Sequence, residues 1–286
     1  MASGEVQHVQ VAGRTLRVSS LDKVIYPSTG TTKGEVLNYY VQVADRILPR
    51  LAARPVTRIR WPHGVAGESF FEKNLPSGAP EWLPRVTIVG HGSRSGGASV
   101  TYPLVEDLAG LVYLVNLGSL ELHVPQWQVD AEGTPQPPDR LVIDLDPGPG
   151  AGLTECARVA LLVAERLSAV GLTPQPVTSG SKGMQLYAEL DGDRSSDEVS
   201  AVTKALAQQL TEQHPDLVLW QMTKARRTGK VFLDWSQNNA AKTTICPYSL
   251  RGRERPHVAA PRTWAEVEAG ATSGDPLTQR PYDEVV

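Results

Sequence analysis

The stretch Leu141-Val-Ile-Asp-Leu-Asp-Pro-Gly148 decides how this chain is read. Leu141 to Leu145 is a short apolar run of the kind that forms a strand buried on both faces. It ends in two carboxylates, Asp144 and Asp146, and then in the turn-forming pair Pro147-Gly148. A strand repeats every two residues, so both acids point to the same face of the sheet. Two like charges side by side repel, which costs stability unless a cation lies between them. Hard divalent cations such as Mg²⁺ or Mn²⁺ take carboxylate oxygen and usually keep substrate phosphates in their shell. Two surface acids at the start of a loop would read the same way, and the pair alone does not separate the two readings. A third acid, Asp234, stands in the alternating run Lys230-Val-Phe-Leu-Asp-Trp235. An ionised carboxylate within an apolar strand needs a partner, either the same metal or a neighbouring Lys or Arg.

Outward from these strands the pattern alternates between strands and helices. Val9 to Val18 reads as a hairpin about Ala12-Gly13. Thr32-x-x-Glu35 is a capping box, and apolar residues from Leu37 to Leu51 follow at helical spacing, predicting a helix over about 33–50. Val56 to Trp61, Val86 to Val89, Val177 and Leu186 to Leu190 read as strands, and Leu111 to Val115 as another buried strand. Gly90 to Ser99 reads as a glycine-rich loop. Thr154 is the expected cap of a helix to about Ala169, and Ser195-x-x-Glu198 opens one that ends near His214-Pro215. The fold class is α+β, expected as one domain over residues 1–286, with no repeat or linker dividing it.

Two loops look suited to phosphate. In Thr178-Ser-Gly-Ser-Lys-Gly183, two glycines let backbone N–H groups approach closely and Lys182 adds a charge. The spacing is not that of a P-loop, and an ordinary turn has the same composition. In Tyr248-Ser-Leu-Arg-Gly-Arg253, arginines on a glycine turn could clamp a triphosphate in bidentate fashion. His123, in Leu120-Glu-Leu-His-Val-Pro-Gln-Trp127, lies at a strand end, where a histidine serves structure or function.

The overall charge of −3 hides an uneven distribution. Met222 to Arg255 holds eight basic residues against Asp234 and Glu254, a net +6, which leaves −9 for the rest. Such a block suits a phosphate-bearing partner, although a solvated charged face would also carry it. With 41% apolar residues among 286, the chain can bury a sizeable core and does not have the composition of a disordered one. No apolar run reaches the roughly 20 residues of a membrane span. The Met1 to Glu5 start lacks a secretory pattern, and two cysteines 90 positions apart read as reduced and cytoplasmic.

Taken together, Asp144-Leu-Asp146-Pro-Gly, Ser179-Gly-Ser-Lys-Gly183 and Val231-Phe-Leu-Asp234-Trp-Ser-Gln-Asn238 resemble the polymerase domain of bacterial DNA ligase D. That domain belongs to the archaeo-eukaryotic primase-polymerase superfamily. Leu21-Asp-Lys-Val-Ile-Tyr-Pro27, Thr32-Lys-Gly34, Gly67-Glu-Ser-Phe-Phe-Glu-Lys73, His123-Val-Pro-Gln-Trp127 and Tyr248-Ser-Leu-Arg-Gly-Arg253 extend the resemblance over about residues 10–285. It implies a primase-polymerase-like catalytic domain, with a central, largely antiparallel sheet flanked by helices. The implied activity is template-dependent nucleotidyl transfer, ribonucleotides preferred, at gaps and double-strand breaks in non-homologous end joining. The implied partners are DNA ends bearing a 5′-phosphate, nucleoside triphosphates, Ku and a DNA ligase, in the bacterial nucleoid and not at a membrane.

By the same resemblance Asp144, Asp146 and Asp234 hold two divalent ions, Mn²⁺ favoured or Mg²⁺. His123, Ser179, Lys182, Gln237 and Arg251 hold the incoming nucleotide, Ser179 and Gln237 being polar enough to meet a 2′-hydroxyl. Lys23 and Lys33 grip a 5′-phosphate, helped by the unsatisfied N–H groups expected where Lys33 opens its helix. Phe70 and Phe71 stack on template bases, while Arg226 and Arg227 belong to the basic loop that meets the primer strand. Two departures stand out: Met184-Gln185 where the family often places His, and Ile59 where a basic residue would support the triphosphate. No ligase lysine motif or phosphoesterase histidine cluster follows, so a stand-alone polymerase and an excised domain read alike. The same residues also suit a primase that starts chains. A DNA-end-binding module without catalysis would be expected to lose these carboxylates first, and all three are present.

Overall fold

The computed structural model describes residues 6–89, 99–272 and 276–286, so the loop predicted over Gly90 to Ser99 lies outside the described residues except for Ser99, which begins a strand. The strands used below are β1 (Val6–Val11), β2 (Arg14–Ser19), β3 (Thr57–Arg60), β4 (Phe70–Glu72), β5 (Arg85–Val89), β6 (Ser99–Pro103) and β7 (Ser119–Val124). They continue with β8 (Arg140–Pro147), β9 (Gln175–Thr178), β10 (Met184–Glu189), β11 (Val218–Leu219), β12 (Val231–Asp234), β13 (Thr244–Ile245) and β14 (Ala260–Pro261). The helices are α1 (Lys33–Gln42), α2 (Ala44–Leu51), α3 (Leu108–Asn116), α4 (Leu153–Ser168), α5 (Ser196–Gln213) and α6 (Trp264–Gly270).

The fold is α+β with largely antiparallel sheets, as the sequence predicts. It has two principal sheets, the larger of six strands. The first has the order β11-β12-β8-β10-β9-β14, and only the β11–β12 pair is parallel. The second has the order β13-β7-β3-β4 and is antiparallel throughout. Alternation along β8 divides its side chains cleanly. Leu141, Ile143 and Leu145 enter a core with α4 and α5, whereas Val142 packs with Tyr187 and with Ile245 of the second sheet. A separate core joins α1, α2 and α3 to β3 and β7. The acids of β8 therefore lie on the face turned toward the second sheet. No helix among the described residues is long and apolar enough to cross a membrane.

Local rules explain most boundaries. Ala12 and Gly13 both have positive φ, 47° and 75°, so the β1–β2 hairpin turns as a two-residue loop matched to strand twist. Capping boxes at Thr32/Glu35 and Ser195/Glu198 form as predicted. Three readings are corrected. Leu111 to Val115 is helix α3, because Asp107 caps it through the Gly110 N–H; a short run buried all round lacks the periodicity that separates helix from strand. The helix predicted over 33–50 breaks at Val43 into α1 and α2, a one-residue fault that an apolar stripe does not register. The helix expected to be capped by Thr154 is capped two residues earlier, at Gly152, whose N–H is held by Glu155 Oε2 at 2.7 Å.

β12 pairs with β8 only from Asp144 onward, which leaves Val142 without a strand partner on that edge. The side chain of Asn238, 2% exposed, takes its place: Oδ1 accepts from Val142 N–H and Nδ2 donates to Val142 O, both at 2.8 Å. Asn238→Ala would orphan two buried backbone groups, and a loss of about 2–4 kcal/mol in urea unfolding is expected. A loss under about 0.5 kcal/mol would show that water replaces the amide.

Candidate active site

The register of β8 and β12 sets Asp144 directly opposite Asp234, with Asp146 two residues further on the same face. All three carboxylates thus share one side of the sheet: alternation predicts this for Asp144 and Asp146, and the strand register brings Asp234 to them. Burial, then Asp146, then Asp234 push the Asp144 carboxyl well above the ordinary range; burial and Asp234 raise Asp146. Asp144 receives a hydrogen bond from Gln185, whose Oε1 is fixed by the Tyr187 hydroxyl at 2.9 Å. Asp234 Oδ1 accepts from Ser236 N–H at 3.0 Å and from its hydroxyl at 2.5 Å. Its Oδ2 accepts from Gln237 Nε2 at 2.9 Å and faces Lys242 Nζ at 3.9 Å. Among the described residues no trio of His, Cys, Asp or Glu is already gathered into a cage. Like charges keep apart without a cation between them. Three hard oxygen donors with too few cations around them fit a divalent metal.

Asp144 and Asp146 line a cavity of about 570 Å³ with Ser179, Lys182, Gly183, Gln185, Arg251, Arg253, Glu254 and His257. The Ser179–Gly183 loop is built differently from the expected N–H cradle. Ser179 Oγ accepts from Ser181 N–H (3.3 Å) and Gly183 N–H (3.2 Å), and Gln279 Oε1 accepts from Gly180 N–H (2.7 Å). Those donors hold the turn, leaving the exposed Lys182 as the loop's evident cation for phosphate. Arg251 is also partly committed: Nε donates to Ser179 O and Nη1 to Glu121 Oε2, both at 2.9 Å. It therefore does not present the open fork a bidentate clamp requires. Glu121 Oε2 also meets His123 Nε2 at 2.8 Å. Burial opposes ionisation of Glu121, yet the His123 bond and the Arg251 charge hold its carboxyl at about 2.

The basic loop before β12 is locked to the acidic strand. Gly148 N–H donates to Lys230 O (2.9 Å) and Gly229 N–H to Pro149 O (2.8 Å), and a Cβ on Gly148 would lie 1.8 Å from the Arg227 carbonyl oxygen. Arg227 stacks its guanidinium 4.0 Å from the Phe232 ring centre, and Arg226 bonds Gln221 at 2.9 Å. The two predicted end-binding lysines come together. Lys23 Nζ donates to Pro62 O (3.1 Å), Lys33 Nζ to Ser19 O (2.7 Å), and burial followed by the Lys23 charge lowers Lys33 to about 8. The α1 N-terminus does not offer the expected free N–H groups: those of Lys33, Gly34 and Glu35 go to Lys23 O, Leu21 O and Thr32 Oγ1. Phe70 and Phe71 are 43% and 61% exposed on β4, and strand alternation sends them to opposite faces.

Sequence reasoning passed over Glu121, although Glu121 and His123 alternate with apolar residues and so share a face. It also missed Gln279, His257 and Lys242, which reach the site through loop contacts with no local pattern. Of the two departures, Gln185 supports Asp144, while Ile59 packs against the core beside β4.

Acids paired across antiparallel strands, two of them lining a cavity with Lys182, Arg251 and Arg253, are the arrangement expected of a nucleotidyltransferase of the primase-polymerase class. The chain belongs to the family described as LigD, primase-polymerase domain, which matches residues 32–282. It is 49% identical over 272 residues to the multifunctional non-homologous end joining protein LigD of Mycolicibacterium smegmatis, covering 95% of this chain and 34% of that protein. It is 34% identical to the bifunctional protein LigD of Bacillus subtilis, covering 93% and 42%. The chain thus spans between a third and a half of these relatives' length. A solved polymerase domain from Mycobacterium tuberculosis ligase D, in complex with DNA, superposes with a TM-score of 0.88 at 47% identity, covering 94% of this chain and 92% of that one.

Asp234 is buried and Asp144 and Asp146 half-buried, and holding the Asp144 carboxyl beside the other two costs folding stability increasingly as pH rises above the ordinary carboxylate range, so removing it should stabilise the metal-free protein at neutral pH. Asp144→Asn is expected to raise the melting temperature in EDTA by roughly 2–4 °C and to abolish any rise on adding Mn²⁺. A lower melting temperature in EDTA would mean that the carboxylate is already compensated.

Proposed function

We propose that this chain is a template-dependent polymerase that adds nucleotides, ribonucleotides by preference, to primer 3′ ends at DNA gaps and double-strand breaks. The observation that carries this reading is the Asp144–Asp234 cross-strand pair, with Asp146 beside it, where Asp144 and Asp146 line a cavity that also holds Lys182, Arg251 and Arg253. Two divalent ions, Mn²⁺ or Mg²⁺, bound by Asp144, Asp146 and Asp234 would activate the primer hydroxyl and stabilise the leaving pyrophosphate. Gln185 orients Asp144, and Ser236 with Gln237 orients Asp234. Lys182, Arg251 and His123 receive the triphosphate, with Ser179 and Gln237 within the same site for the sugar. Arg226 and Arg227 lie on a loop fixed beside Asp146 and meet the primer strand. Lys23 and Lys33 receive the 5′-phosphate through their ammonium groups, and Phe70 or Phe71 stacks on the template. The LigD relatives, named for non-homologous end joining, support a place in that repair; in this reading Ku and a ligase are the partners, in the bacterial cytoplasm. The chain acts as one domain in this reading.

Labelled nucleotide supplied to a gapped duplex with and without a primer tests the reaction. Primed duplex should be extended in Mn²⁺, ribonucleotides at least as well as deoxynucleotides. Asp146→Ala should lose at least about 10³-fold in rate while retaining DNA binding. An active Asp146→Ala protein, or a wild type that extends nothing, refutes the assignment.

The lysine site makes a separate, pH-dependent expectation. Lys33 is protonated below about 8 and loses its charge above it. Gel-shift preference for a 5′-phosphate over a 5′-hydroxyl should be clear at pH 7 and shrink as pH rises beyond 9. No preference at pH 7 would rule the site out.

A further inference from the structure

Glu121 is a buried acid joined to the cavity through Arg251, and the reading above gives it no task. It is 4% exposed, and both oxygens are occupied: Oε2 by His123 Nε2 at 2.8 Å and Arg251 Nη1 at 2.9 Å, Oε1 by Gly252 N–H at 3.1 Å. An ionised carboxylate only accepts, so the His123 ring must turn an N–H toward it at Nε2, which leaves Nδ1 for any other contact. Arg251 is pinned between sheets, by Ser179 O from the β9–β10 loop and by Glu121 from β7. Its remaining nitrogen, Nη2, is thereby aimed by two fixed anchors. With one anchor removed the guanidinium could rotate away, and phosphate binding would have to bear the cost of ordering it.

We propose that Glu121 is a positioning residue for the incoming nucleotide, holding Arg251 and His123 ready for the triphosphate without touching it. This rests on the polymerase reading. A carboxylate beside a triphosphate would ordinarily repel it. Here its charge is spent on two cationic or donor side chains and a backbone N–H, so the balance favours organisation over repulsion.

The test is steady-state addition of ATP opposite dT on a gapped duplex in Mn²⁺. Glu121→Gln keeps the volume but points an NH₂ group at a donor whichever way the amide turns. It should raise KM for ATP about ten-fold, leave kcat within about three-fold, and leave DNA affinity unchanged. Glu121→Asp retains the charge at a shorter reach; it should fall between wild type and Gln, and it carries the test if the Gln variant fails to fold. In an Arg251→Ala background the effect of Glu121→Gln should shrink. An unchanged or lowered KM, a loss confined to kcat, or full additivity with Arg251→Ala would overturn the proposal. A wild type that adds no nucleotide would instead overturn the polymerase reading itself.

Discussion

Asp144 and Asp234 face each other across neighbouring antiparallel strands, a pairing that ordinary sheets avoid because directly opposed like charges destabilise them. Much of the surrounding structure offsets that repulsion. On the opposite face of the same strands, Leu141, Ile143, Leu145 and Leu233 are buried against the helices, each contributing roughly 1.5–3 kcal/mol. On the acidic face, Gln185, Ser236, Gln237 and Lys242 give the carboxylates hydrogen bonds or a nearby charge. The sheet thus carries its site as a local cost supported by the core behind it.

The charge map follows the same logic. The basic block between Met222 and Arg255 does not form one solvated face. Lys242 approaches Asp234, Arg251 and Arg253 line the cavity, and Arg227 lies against Gly148. Positive charge is wrapped round a negative centre, so phosphates can approach an acidic site that would otherwise turn them away.

What could be read in advance was whatever depends on short-range periodicity. The period of two in Leu141–Asp146 places two acids on one face, the register that adds Asp234 being long-range, and Thr32/Glu35 and Ser195/Glu198 announce their helices. Glu121 was legible by the same rule but was not read, because its partner Arg251 is 130 residues away. The phosphate loops were misjudged in detail for a related reason. Glycines at 180 and 183 suggest N–H groups free for a ligand, whereas Ser179 and the distant Gln279 consume them. Helix α3 was missed because a segment buried on every side shows no polar stripe to reveal its period.

The contact at Gly148 is made by backbone on both sides, with the Arg227 carbonyl filling the space a side chain would need. Position and chemistry are thereby uncoupled in the basic loop. Its path is fixed by main-chain bonds between Gly148 and Lys230 and between Gly229 and Pro149, while Thr223, Arg226 and Thr228 project as exposed side chains. Substitution at those three positions can retune how strongly the loop attracts a polyanion without shifting the strand that bears Asp146. For anyone reshaping this protein, the loop is an adjustable dial on a rigid mount.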